Sequence, residues 1–367
     1  MAIRDCLLGF VPCSYIQAVR YNGQERNEES IMGTFHKIYK NSRLWVLLLL
    51  AILFPQLVSN KYFLHVANLS MMFAMLTLSL NILSGCTGLM SVGHIAFYGI
   101  GAYTSAIFTA KLGLPILVGV LMAGVISALA SLLLGLPTMR LRGMYFSVAT
   151  LAFGEVLYQV FINWTAVTEG TKGIKGIPSP EFLGISFRSY DTYYYLVLAA
   201  LVAAIVLTHN LIHSRPGRAM LSIRENDIAA EAMGVNIIQY KIIAFMVSAF
   251  FAGVAGALYV HEVHYVSPET FASSESAAVL AMMVVGGIGS IPGSILGGIA
   301  LTVMPEMLRS FGNVRLVIYG AAVVAIIIFA PRGLGGLLEW VDSRLTGKEK
   351  GGIRRKHAKP EGEGVEQ

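Results

Sequence analysis

Charged residues are scarce in this sequence of 367 residues. Only 13% of them are Asp, Glu, Lys or Arg, whereas 55% are hydrophobic. Soluble domains carry about 25% charged residues. The composition therefore excludes an ordinary soluble globular protein, and the mean hydropathy of +0.66 supports the same conclusion. This much apolar surface suits a chain that lies in a lipid bilayer.

Cysteine is also scarce, and the common nucleotide and metal motifs are missing. Cys6, Cys13 and Cys86 are not spaced as a metal site or a disulfide framework. The sequence has no G-x-x-x-x-G-K-[ST] phosphate loop, no HExxH motif and no CxxC pair. We therefore predict that this chain binds no metal and no cofactor. A membrane-embedded enzyme is disfavoured, because no acids, bases or metal ligands cluster in the sequence.

Long uncharged apolar runs replace the missing charge. The runs cover residues 44–59, 63–83, 115–136, 193–211 and 242–260. About 20 such residues in a helix cross the hydrocarbon core of a bilayer, and only helices or closed barrels satisfy the backbone there. Because the runs are continuous rather than alternating, they favour helices over barrel strands. We predict an all-α, polytopic transmembrane helix bundle of about eight to ten spans.

The positive charges give this bundle a sidedness. Most of the 27 Lys and Arg residues lie in the segments 1–43, 137–142, 213–241 and 332–367. Basic residues collect on the cytoplasmic side of membrane proteins, so we expect all four segments and both termini to be cytoplasmic. The net charge of +6 is explained by this topology, and we predict no nucleic-acid partner.

The charge and hydropathy patterns divide the chain into three parts. We predict a polar cytoplasmic tail over 1–43, a transmembrane domain over 44–340 and a charged cytoplasmic tail over 341–367. The pieces within 277–331 are short and rich in Gly and Pro, so they are either full crossings or re-entrant halves. The predicted spans are 44–60, 62–83, 91–111, 115–136, 143–162, 192–212, 242–260, 277–293, 294–308 and 317–331.

Glycine is concentrated in two apolar stretches, Ser84 to Tyr103 and Gly286 to Gly298. Each glycine costs an α-helix roughly 1 kcal/mol relative to alanine, so we expect interrupted helices there. Transporters place such interruptions at solute sites, where free backbone groups face a cavity. The alternative is a tightly packed helix entry with a hydrogen-bonded histidine. The candidate pathway residues are Ser91, Gly93, His94, Tyr103, Gly286, Gly287 and Gly289.

Glu155 lies within residues 145–162, which are otherwise uncharged. A bare carboxylate in a span costs about 2.5–3.5 kcal/mol or more, so its side chain is expected to face protein or water. A structural hydrogen bond inside the bundle and a role in a solute path or gate both fit this position. Glu155 is therefore a further candidate pathway residue.

The polar segment 214–236 predicts a short amphipathic helix over about 215–234 on the cytoplasmic side. Pro216 and Gly217 favour its start and Gly234 favours its end. The expected apolar stripe consists of Leu221, Ile228 and Ala232. Such a helix either lies on the membrane surface or docks into a groove on a partner. Its mixed charges disfavour pure lipid binding, which prefers faces rich in Lys and Arg.

Several segments combine in one order along the chain. They are GLMSVGHIAFYGIGAYTSA (88–106), LRGMYFSVATLAFGEV (141–156), TEGTKGIKGIP (168–178), the stretch 214–259 beginning SRPGRAMLSIRENDIAAEAMGVN, SPETF (267–271), GGIGSIPGSILGG (286–298) and APRGLGGLL (330–338). Over about residues 44–340, this set resembles the permease subunits of branched-chain amino-acid ABC importers, specifically the M-type (LivM-like) subunit.

The resemblance implies an assembly in the bacterial cytoplasmic (inner) membrane. Such permeases pair with a second, H-type permease, are driven by two cytoplasmic ATPases that use ATP and Mg, and receive solute from a periplasmic binding protein. The EAA-like element of the family matches residues 231–234, which implies that the cytoplasmic helix is the ATPase-coupling helix. The coupling candidates are Arg218, Arg224, Glu225, Glu231, Ala232 and Gly234, the two arginines being expected to pair with acidic groups on the ATPase.

The solute remains open at this point. The same family includes permeases for urea, short amides and other amino acids, and its members more often have a second glycine where this chain has Glu169. A different class of function is a proton-coupled secondary carrier that uses Glu155 or His94 as its proton site. The cytoplasmic helix favours the importer, because a self-sufficient carrier has no need of a docking element.

Overall fold

A computed structural model describes most of the chain. It covers residues 42–58, 60–139, 141, 143–179, 181–182, 185–186, 189–312, 314–330 and 333–336. Apart from Ser42 and Arg43, the tails predicted at 1–43 and 341–367 lie outside the described residues. Helices dominate the described part, which confirms the predicted all-α class.

The helices and strands follow one another in a simple order. The helices are α1 (Ser42–Leu57), α2 (Lys61–Thr87), α3 (Ile95–Ala106, continued by a π-helical turn Ile107–Lys111), α4 (Ile116–Thr138), α5 (Met144–Asn163), α6 (Thr165–Thr168), α7 (Tyr190–His213), α8 (Arg215–Glu225), α9 (Asp227–Ala232), α10 (Ile237–Val263), α11 (Ser273–Gly286), α12 (Ile291–Met307) and α13 (Val314–Phe329). Short 3₁₀ turns lie at Gly170–Lys172, Pro268–Phe271 and Leu308–Phe311, and the strands are β1 (Ile174–Lys175), β2 (Glu181–Phe182), β3 (Ile185–Ser186) and β4 (Tyr265–Val266).

Helix α1 belongs to a separate compact unit, Met1–Ser59, and the other elements form a second unit, Asn60–Gln367. Within its unit, α1 is an apolar helix of 16 residues that contains Pro55 in its last turn. It falls on the first predicted span, 44–60.

Six helical segments of the described residues are long and apolar enough to cross a membrane. They are α2, α4, α5, α7, α10 and the segment Ile291–Phe311, while α11 and α13 are shorter apolar helices. The spans predicted at 62–83, 115–136, 143–162, 192–212 and 242–260 fall on five of these long helices. The chain is therefore a multi-pass membrane protein.

Helices α2 and α10 form the centre of the second unit. In their most apolar windows 83% of the α2 residues and 61% of the α10 residues are buried, against 17–28% in the other long helices. Glycine lets the backbones touch: a Cβ added at Gly101 of α3 would lie 2.1 Å from the carbonyl oxygen of Gly253 in α10. Such close approach of small residues holds helices together in lipid, where packing replaces the hydrophobic effect.

Helix α4 shows how an outer helix divides its surface. Leu121, Val125, Leu129 and Leu133 recur at four-residue spacing and are all exposed, whereas Gly124 packs against the side chains of α10. Residues four apart share one helix face. The exposed stripe is suited to lipid.

The loop after α5 is tied to the end of α10. Strand β1 pairs with β4 in antiparallel register, with Ile174 opposite Val266. Ile174 and Val266 are both buried, so the loop is packed onto the bundle by this short ladder.

The structure corrects three predicted boundaries. The span expected at 91–111 begins as a helix only at Ile95, the boundary expected between 293 and 294 lies instead at 287–290, and the single helix expected over 215–234 is two helices, α8 and α9. The first two differences arise where the backbone leaves the helix and contacts another element, and the third arises from a helix cap at Asn226.

Candidate functional site

The residues between α2 and α3 form an extended segment, 88–94, that returns into the bundle. Gly88 ends α2 with a left-handed backbone, φ 75°, and the segment then passes beside the last turns of α2 and the middle of α5. Backbone polar groups at membrane depth must be satisfied by protein. Hydroxyl groups from three helices do this: Ser84 Oγ donates to Leu89 O (2.9 Å), Ser147 Oγ donates to Met90 O (2.7 Å), Thr150 Oγ1 accepts from Val92 N (3.1 Å) and Ser276 Oγ donates to Val92 O.

Gly93 allows this segment to touch α5. A Cβ at Gly93 would lie 1.8 Å from the carbonyl oxygen of Thr150, a distance that no side chain can occupy. A Cβ on Gly154 would in turn lie 3.3 Å from Gly93 Cα. The interrupted helix predicted from the glycine content is confirmed, and its cause is a backbone contact between two distant parts of the sequence.

Three of the candidate pathway residues lie inside the bundle. His94 is fully buried and its Nε2 lies 2.8 Å from Ser79 Oγ. Ser91 and Tyr103 are also buried, and Tyr103 stacks on Phe161 with ring centroids 4.6 Å apart. Among the described residues, Ser91 Oγ, His94 Nδ1 and Tyr103 OH have no hydrogen-bond partner. These groups form a polar interior rather than an open surface.

The second interruption lies between α11 and α12. Gly287 and Gly289 both have positive φ, 112° and 88°, a region that glycine enters without steric cost. The ends of the break are in backbone contact, because a Cβ at Gly286 would lie 2.4 Å from Gly293 O. Ser290 then caps α12, its Oγ accepting from Gly293 N at 3.2 Å.

The amide side chain of Asn81, in α2, holds this second break. Its Oδ1 accepts from Gly289 N at 2.7 Å and its Nδ2 donates to Ser290 O at 3.4 Å. One buried amide thus satisfies two backbone groups of the break and connects it to the central helix α2.

Helix α5 carries a polar face on the outer surface of the unit. Glu155, Gln159 and Asn163 recur at four-residue spacing and are exposed, on a helix surface that also includes Ala152, Val156 and Val160. Glu155 lies near mid-span, about 17 Å from the start of α5 and about 12 Å from its end at 1.5 Å per residue. We call Glu155, Gln159 and Asn163 the α5 polar face.

The carboxylate of Glu155 is exposed and bonded to α11. Ser273 Oγ donates a hydrogen bond to Glu155 Oε2 at 2.7 Å. No Lys or Arg within the described ranges forms an ion pair with Glu155; the ion pairs found there join His65 to Glu262, Lys111 to Glu169 and Lys241 to Asp227. The charge of Glu155 is therefore presented outwards from the bundle.

Two short helices, α8 and α9, stand between α7 and α10. Ser214 caps α8 through Gly217 N, and Asn226 caps α9 by accepting from Ile228 N (3.0 Å) and Ala229 N (3.1 Å). Gly234 follows α9 with φ 83°. A side-chain oxygen that satisfies the free N–H groups of the first turn favours a helix start, so Asn226 ends one helix and begins the next.

The cap at Asn226 changes which face of the segment is buried. Met220, Ile223 and Ala230 are buried. Ile228, expected in the buried stripe, is 70% exposed, and Ala232 is exposed too. The predicted stripe assumed one continuous helical period, which the break at Asn226 interrupts.

The coupling candidates divide into two groups. Arg218, Glu225, Glu231, Ala232 and Gly234 are exposed, and Arg218 Nη1 donates to His213 O at 2.8 Å. Arg224 is exposed as well, but it extends towards α2, where its Nη1 donates to Gly85 O at 2.6 Å.

The C-terminal end of α10 holds polar residues that sequence reasoning missed. Glu262 Oε1 accepts from Asn68 Nδ2 (3.1 Å) and lies 3.0 Å from His65 Nδ1, and its side chain is only 2% exposed. His261 and Glu262 border a cavity of about 840 Å³. These residues could have been predicted from the sequence, because a run of ionisable residues directly follows the uncharged stretch 242–260.

Comparison with known proteins gives one consistent family. The family model described as branched-chain amino acid transport system / permease component matches residues 62–330. The high-affinity branched-chain amino acid transport system permease protein LivM of Salmonella typhimurium is 35% identical over 79% of this chain and 74% of its own length. LivM of Escherichia coli strain K12 is 36% identical over 78% and 73%, respectively.

A more distant relative extends the same comparison. The permease protein LivH of the branched-chain amino acid transport system of Salmonella typhimurium is 24% identical over 72% of this chain and 91% of its own length. No solved structure matches the chain.

Proposed function

Since the chain belongs to the family of branched-chain amino acid transport system permease components, we propose that it is the permease subunit of an ATP-binding-cassette importer of branched-chain or related amino acids. As a membrane permease it transports rather than catalyses. The solute crosses by alternating access, and ATP is hydrolysed in separate subunits. Both LivM relatives are permease proteins of a high-affinity branched-chain amino acid transport system, and this supports the choice of solute.

The proposed assembly has four kinds of subunit. This chain pairs with a second, H-type permease, two cytoplasmic ATPases bind ATP and Mg, and a periplasmic protein delivers the solute. Likeness to both LivM and LivH supports the permease pair. The distribution of basic residues supports a place in the bacterial cytoplasmic membrane with both termini on the cytoplasmic side.

The α5 polar face is the observation that carries the proposal. A carboxylate near the middle of a bilayer costs about 2.5–3.5 kcal/mol or more, and such groups face protein or a water-filled path. Glu155 points out of its own chain, so the covering protein or path lies beyond that chain. A permease pair with the solute path along the shared face meets this requirement.

The exposed surface of α9 supports an ATPase as the cytoplasmic partner. Ile228 and Met233 are 70% and 85% exposed, and Glu225 and Glu231 lie exposed beside them. Helices that lie on lipid carry Lys and Arg on their polar face, whereas this surface combines apolar and acidic groups. It is suited to a groove on another protein.

Reconstitution of the full complex tests the proposal. Proteoliposomes with the two permeases, the ATPases and the binding protein should accumulate labelled leucine, isoleucine or valine only when ATP is supplied. Uptake of urea or acetamide instead of these amino acids would replace the proposed solute. Uptake by this chain alone, driven by a proton gradient without ATPases, would overturn the importer and favour a carrier.

A further inference from the structure

The guanidinium group of Arg224 links the cytoplasmic helix α8 to the end of α2. Its Nη1 donates to Gly85 O at 2.6 Å, and Gly88 packs against its aliphatic part, since a Cβ there would lie 3.7 Å from Arg224 Cγ. The last carbonyl groups of a helix lack partners within the helix and attract positive charge. Arg224 therefore caps the C-terminus of α2.

The same guanidinium group lies over the break between α11 and α12. A Cβ at Gly289 would lie 2.5 Å from Arg224 Nη1 and 3.4 Å from Nη2. A Cβ at Gly85 would lie 3.0 Å from Gly289 Cα, so the backbones of α2 and the break are in contact beneath Arg224. Three elements, namely α8, α2 and the break, meet at this one side chain.

Asn81 joins two of these elements on the membrane side of the junction. Its amide bonds Gly289 N and Ser290 O, so the break is fixed to α2 from within the bundle. Arg224 and Asn81 thus hold the end of α2 and the break from opposite directions.

We propose that Arg224 is the positioning residue that transmits movement of the α8–α9 pair into the membrane, through Gly85 and the Gly289 break. This inference rests on the proposed function, because it requires ATPases that move the pair. It reverses the role expected for Arg224, which was contact with acidic groups on the ATPase. The guanidinium is directed into the permease and acts there, while the exposed residues of α9 provide the docking surface.

Arginine suits this position better than lysine. A planar guanidinium presents several donors in fixed directions, whereas an ammonium group is a compact point charge on a flexible stem. Arg224→Lys keeps the positive charge at the end of α2 but loses the contact with the break. The variant therefore separates the effect of the positive charge at the end of α2 from the effect of the contact with the break.

The test measures uptake and ATP hydrolysis together in the full reconstituted complex. Arg224→Met should lower the amount of solute moved per ATP hydrolysed at least fivefold, while ATP hydrolysis and co-purification of the ATPases stay within twofold of the parent. Arg224→Lys should give an intermediate ratio. Arg215→Met is the matched control, because Arg215 is exposed at the start of the same helix, and it should leave the ratio unchanged.

A second variant approaches the junction from its other side. Gly289→Ala places a methyl group against the guanidinium and should uncouple uptake from ATP hydrolysis to a similar degree. The double variant with Arg224→Met should be no worse than the more affected single variant. An additive loss, or an Arg224→Met ratio equal to that of Arg215→Met, would overturn the inference.

Two further outcomes separate this inference from the proposed function. Loss of the ATPases from Arg224→Met would show that the side chain binds them directly, and this too would overturn the inference. If the parent complex moves urea or an amide, the proposed solute is wrong, but the ratio of uptake to ATP hydrolysis still tests Arg224 with that solute.

Discussion

Gly93 has no space for a side chain. A Cβ there would meet the carbonyl oxygen of Thr150 at 1.8 Å, and neither backbone can move without disturbing the hydrogen bonds of Val92. Overpacking costs about 1–3 kcal/mol and occasionally more, so we expect Gly93→Ala to lower the free energy of unfolding in detergent by about 3 kcal/mol. Gly320→Ala is the control, because nothing lies within 4 Å of its added Cβ. Equal stability of the two variants would contradict the contact.

Glu169 occupies a backbone conformation that favours glycine. Its φ is 63°, at the end of α6, and a left-handed conformation costs a non-glycine residue roughly 1–2 kcal/mol. Its carboxylate lies 3.5 Å from Lys111 Nζ on the surface, a kind of pair worth about 0–1 kcal/mol. The backbone at this position therefore suits glycine better than glutamate.

We therefore expect Glu169→Gly to stabilise the protein by about 1 kcal/mol. The measurement is thermal unfolding in detergent beside Glu169→Ala, which loses the same ion pair but keeps the strained φ. The glycine variant should unfold at the higher temperature of the two. The reverse order would show that the left-handed backbone at this position holds no strain that glycine relieves.

At the scale of the elements, the long helices were predictable because their apolar runs are continuous. The spans at 62–83 and 242–260 needed no knowledge of neighbours. The glycine content also predicted interruptions, but not their positions. Those depend on contacts far apart in the sequence: Gly93 with Thr150, and Gly289 with Asn81. No local pattern encodes such a pair.

The pair of short helices α8 and α9 shows a similar limit. Pro216, Gly217 and Gly234 correctly marked the two ends of the segment, but a single helix was predicted between them and the cap at Asn226 was not recognised. As a cap it restarts the helix, so Ala230 is buried and Ile228 exposed. Asparagine inside an amphipathic pattern favours a cap as well as a surface position, and only the packing of α9 decides between them.

The docking role of α9 leads to a prediction about Glu231. This residue is exposed on α9, and placing like charges opposite each other at an interface costs several kcal/mol. If the ATPase groove is complementary to the acidic surface, Glu231→Arg should reduce co-purification of the ATPases at least about tenfold, since 1.4 kcal/mol is a factor of ten.

Membrane insertion of Glu231→Arg should be unchanged, as measured by the yield of extracted protein. Glu269→Arg serves as the control for a reversed charge, because Glu269 is exposed after β4, at the opposite end of α10 from the pair. Co-purification of Glu231→Arg at the level of this control would rule out the docking role.

At the scale of the whole molecule, the second unit has a buried centre and a face suited to lipid, but its α5 surface carries a charged residue. Its central helices α2 and α10 are mostly buried, and α4 presents an apolar stripe to lipid. Only 17% of the apolar window of α5 is buried, however, and this helix carries the polar face with Glu155. Most of the exposed α5 surface is apolar, so the carboxylate of Glu155 is the group that the proposed second permease would have to cover.

Glu155→Gln tests that conclusion in the full complex. The amide oxygen of glutamine can still accept from Ser273 Oγ, so the bond to α11 is kept and only the negative charge is lost. Hydrogen bonds to charged groups contribute about 1.5–3 kcal/mol, and loss of one to the ammonium group of an amino acid should lower leucine uptake roughly tenfold or more. Glu269→Gln, which removes an exposed charge outside the spans, should leave uptake unchanged. Normal uptake by Glu155→Gln, with the ATPases still bound, would exclude its charge from the solute path.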